Sequence, residues 1–276
     1  MSALVERSAA GLSYLATEGS RTLPIVLLHG IGSNAGSFAP LMRALDAGYR
    51  TLAWNAPGYG ASQPLGIEWP DASDYATALN RLLGQLDIAR CILVGHSLGC
   101  LIAARFALVS RRRVAALVLI SPALGHGAEK GAQLPDGVAR RVEELDRLGP
   151  EKFAATRAPS LVADPAARPD VVQAVERAMA DVRRPGYDQA ARLLAVSRIV
   201  DDAVKLEVPT TVIVGARDRI TPPANVRRVF DALRQGSVRH AYREVANAGH
   251  AICQEQPAEI AQAIVEIVEH EANAHA

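Results

Sequence analysis

Short unbroken apolar runs alternate with longer stretches in which hydrophobic residues return every three or four positions. Ile25 to Leu28, Thr51 to Trp54, Cys91 to Gly95 and Leu117 to Ser121 have the length and the β-branched character of strands buried on both faces. Between them Phe38, Leu41, Met42 and Leu45 repeat at helical spacing, as do Leu79, Leu82, Leu83 and Leu86. Toward the end, Thr210 to Gly215 and Arg239 to Val245 read as two more strands, with helical patterns at 224–234 and 257–270. Leu12 to Thr17 adds a strand at one edge. Strands alternating with helices in this way predict βαβ units and a mostly parallel sheet.

The middle breaks the rhythm. From 122 to 205 no strand pattern occurs, and Pro135, Pro150, Pro159, Pro169 and Pro185 cut the stretch into segments. Val138, Val142, Leu145 and Leu148, then Val171, Val172, Val175 and Met179, keep helical spacing. Residues 1–121 and 206–276 are therefore expected to form one core, with 122–205 inserted as helices laid over it.

Composition narrows the functional classes. With 30 Lys+Arg against 29 Asp+Glu among 276 residues the formal charge is +1, which does not suit a nucleic-acid surface. No window approaches the roughly 18 consecutive apolar residues of a spanning helix, and MSALVERSAAG lacks the apolar core of a secretory signal. A cytoplasmic protein off the membrane, acting on a small molecule, is expected, with homo-oligomer formation left open. The three cysteines, Cys91, Cys100 and Cys253, are not spaced as metal ligands and read as reduced thiols.

The chemistry concentrates in CILVGHSLGCL, residues 91 to 101. A strand that stops at Gly95 and resumes as an apolar helix after Gly99 presents Ser97 on a sharp turn at the carboxyl edge of the sheet. A Cβ at either glycine would strike a neighbouring element. Serine needs a base, and the base needs an orienting carboxylate. Of the histidines, His250 in VANAGHAIC lies on the loop after the last strand; His29 in LLHGIG is better placed to brace a loop. His96, beside the serine but pointing away from it, is assigned to substrate binding. For the acid, the stretch after Ser121 holds no carboxylate, whereas GARDRITPP sets Asp218 three residues past the strand ending at Gly215. Asp201 and Asp202 are the fallback. An oxyanion would be met by two backbone N–H groups, that of Leu98 opening the helix and that of Ile31 in HGIGSN. No metal ligand set and no cofactor motif is found.

LLHGIGSNAGSF, NAPGYGAS, LVGHSLG, VGARDRITPP and AGH occur in the order used by the α/β-hydrolase superfamily, which the chain resembles from about residue 12 to 270. The resemblance implies an α/β-hydrolase fold: an eight-stranded, mostly parallel sheet flanked by helices, with a helical cap inserted after the sixth strand. It also implies a Ser-Asp-His triad and no cofactor. Three positions matter to it. Asn55 stands where relatives often carry Asp, Cys100 stands where many have a second glycine, and Ser97 excludes the branches with an aspartate nucleophile.

Hydrolysis of a small, largely apolar carboxylic ester, thioester or lactone through an acyl-enzyme is the expected reaction. Tyr187 and one or two insertion arginines (Arg140, Arg141, Arg157, Arg183, Arg184, Arg192, Arg198) are candidates for substrate contact, Arg192 foremost. Carbon-carbon bond hydrolysis of vinylogous diketo acids is the alternative in the same fold, although that branch resembles this chain less at Ala251-Ile252. A non-catalytic small-molecule receptor is the alternative from another class.

Overall fold

The apolar runs pair with one another, as their burial on both faces requires. A computed structural model describes residues 4–19, 23–45, 48–233 and 238–273. Its strands are β1 (Val5–Ala9), β2 (Leu12–Thr17), β3 (Ile25–Leu28), β4 (Thr51–Trp54), β5 (Cys91–His96), β6 (Val114–Ile120), β7 (Thr210–Gly215) and β8 (His240–Val245). They form one sheet in the order β1-β2-β4-β3-β5-β6-β7-β8, antiparallel between β1, β2 and β4 and parallel from β4 onward.

Two expectations change. The run 12–17 is not the edge, because β1 pairs outside it from Val5↔Ala16 to Ala9↔Leu12. VERSA, exposed along most of its length, has no apolar face by which a sequence pattern could mark it. The sixth strand begins at Val114 and ends at Ile120, one residue before the predicted end.

The helices are α1 (Ala39–Ala44), α2 (Ala72–Gln85), α3 (Leu98–Val109), α4 (Asp136–Leu161), α5 (Pro169–Ala180), α6 (Gly186–Val196), α7 (Ile199–Ala203), α8 (Pro223–Leu233), α9 (Ile252–Glu255) and α10 (Pro257–Asn273). The pattern at 224–234 thus becomes α8; Arg234 lies outside the described residues. Alternate side chains of the central strands enter opposite layers. Val26, Leu28 and Leu93 join Leu79, Leu82 and Phe106 of α2 and α3. Ile25, Leu27, Ile92 and Val94 join Leu41 of α1 and Ile260 and Ile264 of α10 on the other face. Helix α2 opens on a capping box in which the Asp71 carboxylate accepts from the amides of Ser73 and Asp74 while Asp74 accepts from the amide of Asp71.

Between β6 and β7 the chain leaves the sheet for α4 to α7. Helix α4 is broken at Gly149 (φ 72°, ψ 165°), directly before Pro150. The excursion returns to the core through specific contacts. The Gln189 amide donates to the carbonyls of Leu65 and Ile67 and accepts from the amide of Leu65, and the amide of Ala251 donates to the carbonyl of Leu161. No helix among the described residues is long and apolar enough to cross a membrane.

Candidate active site

The carboxyl edges of β3, β5 and β7 and the loop after β8 meet beneath the inserted helices. Ser97 follows β5 in a left-handed backbone conformation (φ 53°, ψ −114°), costly for a residue with a Cβ and held by its surroundings. Its amide donates to the carbonyl of Ile120 on β6, and its carbonyl accepts from Cys100 and Ala123. The flanking glycines are required by contact: a Cβ on Gly95 would lie 2.6 Å from the carbonyl oxygen of Gly99, and one on Gly99 only 2.1 Å from that of Leu28. Cys100 tolerates its larger group by pointing its thiol at the carbonyl oxygens of Gly95 and Ile120, at 3.1 and 3.3 Å.

Asp218 leaves β7 in a tight turn. Its Oδ1 accepts from the amides of Ile220 and Thr221 at 2.8 and 2.9 Å, and its Oδ2 accepts from His250 Nδ1 at 2.9 Å. The Thr221 hydroxyl completes the cage, 2.9 Å from Oδ2. Burial alone would raise the pKa of this carboxyl, but the charge interaction with His250, the hydrogen bond from its ring and the surrounding donors prevail and hold it down at about 2. Because an ionised carboxylate only accepts, the neutral His250 ring carries its proton on Nδ1 and keeps a lone pair on Nε2. His250 and Ser97 line one cavity of about 490 Å³. No hydrogen bond joins Ser97 Oγ to His250 among the described residues; such contacts commonly tighten only around a substrate.

The loop after β3 closes the other side of the serine. A Cβ on Gly30 would lie 2.9 Å from the Cβ of Ser97, so backbone runs directly against the hydroxyl. The next amide, Ile31, and the first amide of α3, Leu98, donate to no group among the described residues, and both residues line the cavity. His29 braces this loop: its Nε2 accepts from the amide of Ala56 at 3.0 Å and its Nδ1 donates to the carbonyl of Gly30 at 2.8 Å. His96 also lines the cavity, but its Nε2 donates to the carbonyl of His250 at 2.8 Å. Desolvation, followed by the nearby His250, pushes its pKa down to about 3, so it stays neutral and steadies the His250 backbone.

Two predicted substrate contacts are not brought to the cavity. Arg192 turns outward, donating to the carbonyl of Glu68, pairing with its carboxylate at 3.5 Å and lying over the Trp69 ring. Helix α6 presents its Ala190, Ala191 and Leu193 side to the interior, which leaves Arg192 on the solvent side. Tyr187 is fully buried but lies behind the cavity wall, edge-on to Phe153 and beyond Gly32. Asp202, the fallback acid, is paired with Arg105 at 2.7 Å, away from the site.

The sequence reading missed Thr221, Glu255 and the inward direction of Arg141 and Arg157. Thr221 carries a signal, since Asp followed three residues later by Thr is a side-chain-capped turn. The other three depend on contacts between distant segments. Among the described residues no cluster of three or more His, Cys, Asp or Glu side chains could hold a metal ion.

The pattern of the Alpha/beta hydrolase family matches residues 25–263. The chain belongs to this family. Other family members are similar over different spans. A 2-hydroxy-6-oxononadienedioate/2-hydroxy-6-oxononatrienedioate hydrolase of Pseudomonas putida is 37% identical over 122 residues, 43% of this chain and 42% of that one. A pimeloyl-[acyl-carrier protein] methyl ester esterase of Aliivibrio salmonicida is 27% identical over 243 residues, covering 85% of this chain and 88% of the esterase. The first curated relatives are spanned for only 58% and 42% of their length. The solved enol-lactonase of Burkholderia xenovorans LB400 superposes with a TM-score of 0.82 at 20% identity, covering 96% of this chain and all of that one, and shows the shared alpha/beta hydrolase fold. The chain is an α/β-hydrolase with an eight-stranded, mostly parallel sheet.

Proposed function

We propose that the protein is a serine hydrolase that cleaves a small carboxylic ester, thioester or lactone through an acyl-enzyme on Ser97. The observation that carries this reading is the Asp218–His250 pair, 2.9 Å apart, opening on the same cavity as a serine held at φ 53°. His250 Nε2 takes the Ser97 proton as Oγ attacks the acyl carbon, and returns it to the leaving alkoxide or thiolate. Asp218 keeps the ring in the Nδ1–H form and stabilises it once charged. The amides of Ile31 and Leu98 receive the oxyanion, and water then repeats the sequence to release the acid. Helices α4 to α7 act as a cap whose side chains select the substrate. A cavity of about 490 Å³ is in the range that takes a small molecule.

The test is labelling with a serine-directed fluorophosphonate, followed by turnover of p-nitrophenyl esters of increasing acyl length. Wild type is expected to label at Ser97 alone, and Ser97→Ala and His250→Ala to lose on the order of 10⁴-fold or more in kcat. Full turnover by Ser97→Ala would end the proposal. Similarity to the Pseudomonas putida dioate hydrolase favours a second reading, carbon-carbon bond hydrolysis of a diketo acid by the same residues. A kcat/KM higher on a ring-fission diketo acid than on any ester of the panel would select it.

A further inference from the structure

The walls of the cavity hold two permanent charges, both positive, and no carboxylate: Arg141 and Arg157, one on each side of the break in α4. They are not equivalent. Arg157 is neutralised within its own helix pair by Glu144, at 2.9 Å, and leans on the Phe153 ring. Arg141 forms no salt bridge among the described residues, since Glu144, one turn further along α4, is taken by Arg157. The groups around it are a like charge, Arg157, and two phenols, Tyr187 and Tyr59. Both phenolic oxygens are buried, that of Tyr187 against the Arg141 guanidinium and that of Tyr59 toward the Gly32 backbone, and Nε of Arg157 is buried without a partner. An arginine half-withdrawn from water beside another arginine costs stability unless an anion meets it. The Tyr187 hydroxyl orients the guanidinium from behind, and a planar fork of donors turned to the cavity is suited to a carboxylate.

We infer that Arg141 recognises a carboxylate carried by the substrate at the end remote from the scissile bond, so that the preferred substrate is a half-ester, or a lactone bearing an acid. The inference rests on the hydrolase reading for its catalytic half, but not for the binding of the anion. Arg157, tied to Glu144, shapes the wall and occupies that carboxylate. The apolar groups beside them, Val138, Leu161, Val175 and Met179, accommodate the chain between the two ends.

The experiment compares the mono-p-nitrophenyl ester of adipic acid with the p-nitrophenyl ester of hexanoic acid, in wild type, Arg141→Met and Arg141→Lys. Wild type is expected to favour the charged ester in kcat/KM by roughly 10-fold or more, as a charge-assisted contact allows. Arg141→Met should remove that preference by raising KM on the charged ester several-fold more than on the hexanoate ester, and Arg141→Lys should restore part of it. Equal losses on both esters, or no preference in wild type, would overturn the inference. A parallel melting series with adipate uses no turnover: adipate should raise the Tm of wild type and not that of Arg141→Met. If neither ester is cleaved, the hydrolase reading fails and this series alone decides, an absent or equal shift counting against Arg141. Should Arg141→Met not fold, Arg141→Gln makes the same comparison.

Discussion

His29 is the residue whose chemistry is most tightly fixed by backbone. It accepts from Ala56 through one ring nitrogen and donates to Gly30 through the other, so only the neutral ring satisfies both partners. Desolvation outweighs the Gly30 carbonyl and pushes its pKa down to about 4. The folded value is below the unfolded one of about 6.5. The stability His29 contributes is therefore complete above pH 6.5 and is lost as the pH falls from there toward 4, at about 1.4 kcal/mol per pH unit. In urea unfolding between pH 7 and 4, His29→Gln is expected to flatten that slope by about one proton. It should also lower stability at neutral pH by about 1–3 kcal/mol through the unpaired Ala56 amide. An unchanged slope would show that His29 titrates alike in both states. Its bracing position could be read from LLHGIG, and Ser97, Asp218 and His250 from their own short contexts, because each is set by a strand end and the turn after it. Asn55 needed the structure: its Oδ1 accepts from the amide of Ala35 while its Nδ2 donates to Ser13 Oγ, a double role that an aspartate could fill only if the serine reversed its own hydrogen bond. Arg192 was misread for a related reason. Sequence shows that an arginine lies on an amphipathic helix, but the direction it faces follows from how that helix seats on the core.

At the level of elements, helix α4 carries both cavity arginines and bends between them. Gly149 makes the bend at φ 72° and ψ 165°, a region almost closed to residues with a Cβ. No heavy atom lies within 4 Å of where that Cβ would sit, so a substitution costs backbone strain and nothing else. Gly149→Ala is expected to lower unfolding free energy by about 1–3 kcal/mol in urea titration. By shifting Arg157 and Leu161 relative to Arg141 it should also raise KM on the best ester more than it lowers kcat. A variant as stable as wild type would mean that the segment relaxes into a different bend. Pro150 announced an interruption here, and the apolar spacing of 138–148 and 171–179 announced the flanking helices. Strand β1 gave no such notice, since an edge strand exposed along most of its length is held by ladder hydrogen bonds that any residues can make. The glycines at 95 and 99 stand at the opposite extreme, where local sequence and tertiary contact demand the same residue.

Across the whole molecule, the question is how a helical insertion is held in register over residues that come from the other end of the chain. Glu255, on α9, provides one answer. Its Oε2 accepts from the amide of Gly249 at 2.7 Å and its Oε1 from the amide of Ala163 at 2.8 Å, joining the loop that carries His250 to the end of α4. Arg168 adds a bond to the Glu255 carbonyl, and Arg219 one to the carbonyl of Val162. Burial pushes the Glu255 pKa up, against the pull of the two amides, so the carboxylate is held at some cost in order to accept from both sides. Sequence could not reveal this clamp, since its two amides lie 92 and 6 residues from the side chain that joins them. Glu255→Gln leaves one acceptor oxygen and turns an NH₂ toward the other amide, so one buried bond is lost and a donor faces a donor. The variant should unfold about 1–3 kcal/mol more easily, and amide hydrogen exchange at Gly249 and Ala163 should quicken together. Ester turnover should fall in kcat while the pH dependence keeps its shape, because Glu255 acts by positioning the His250 loop rather than by touching the reacting atoms. Exchange that quickened at only one of the two amides would show that loop and insertion are held independently, and the coupling between the insertion and the His250 loop would have to be sought in the Ala251–Leu161 backbone bond instead.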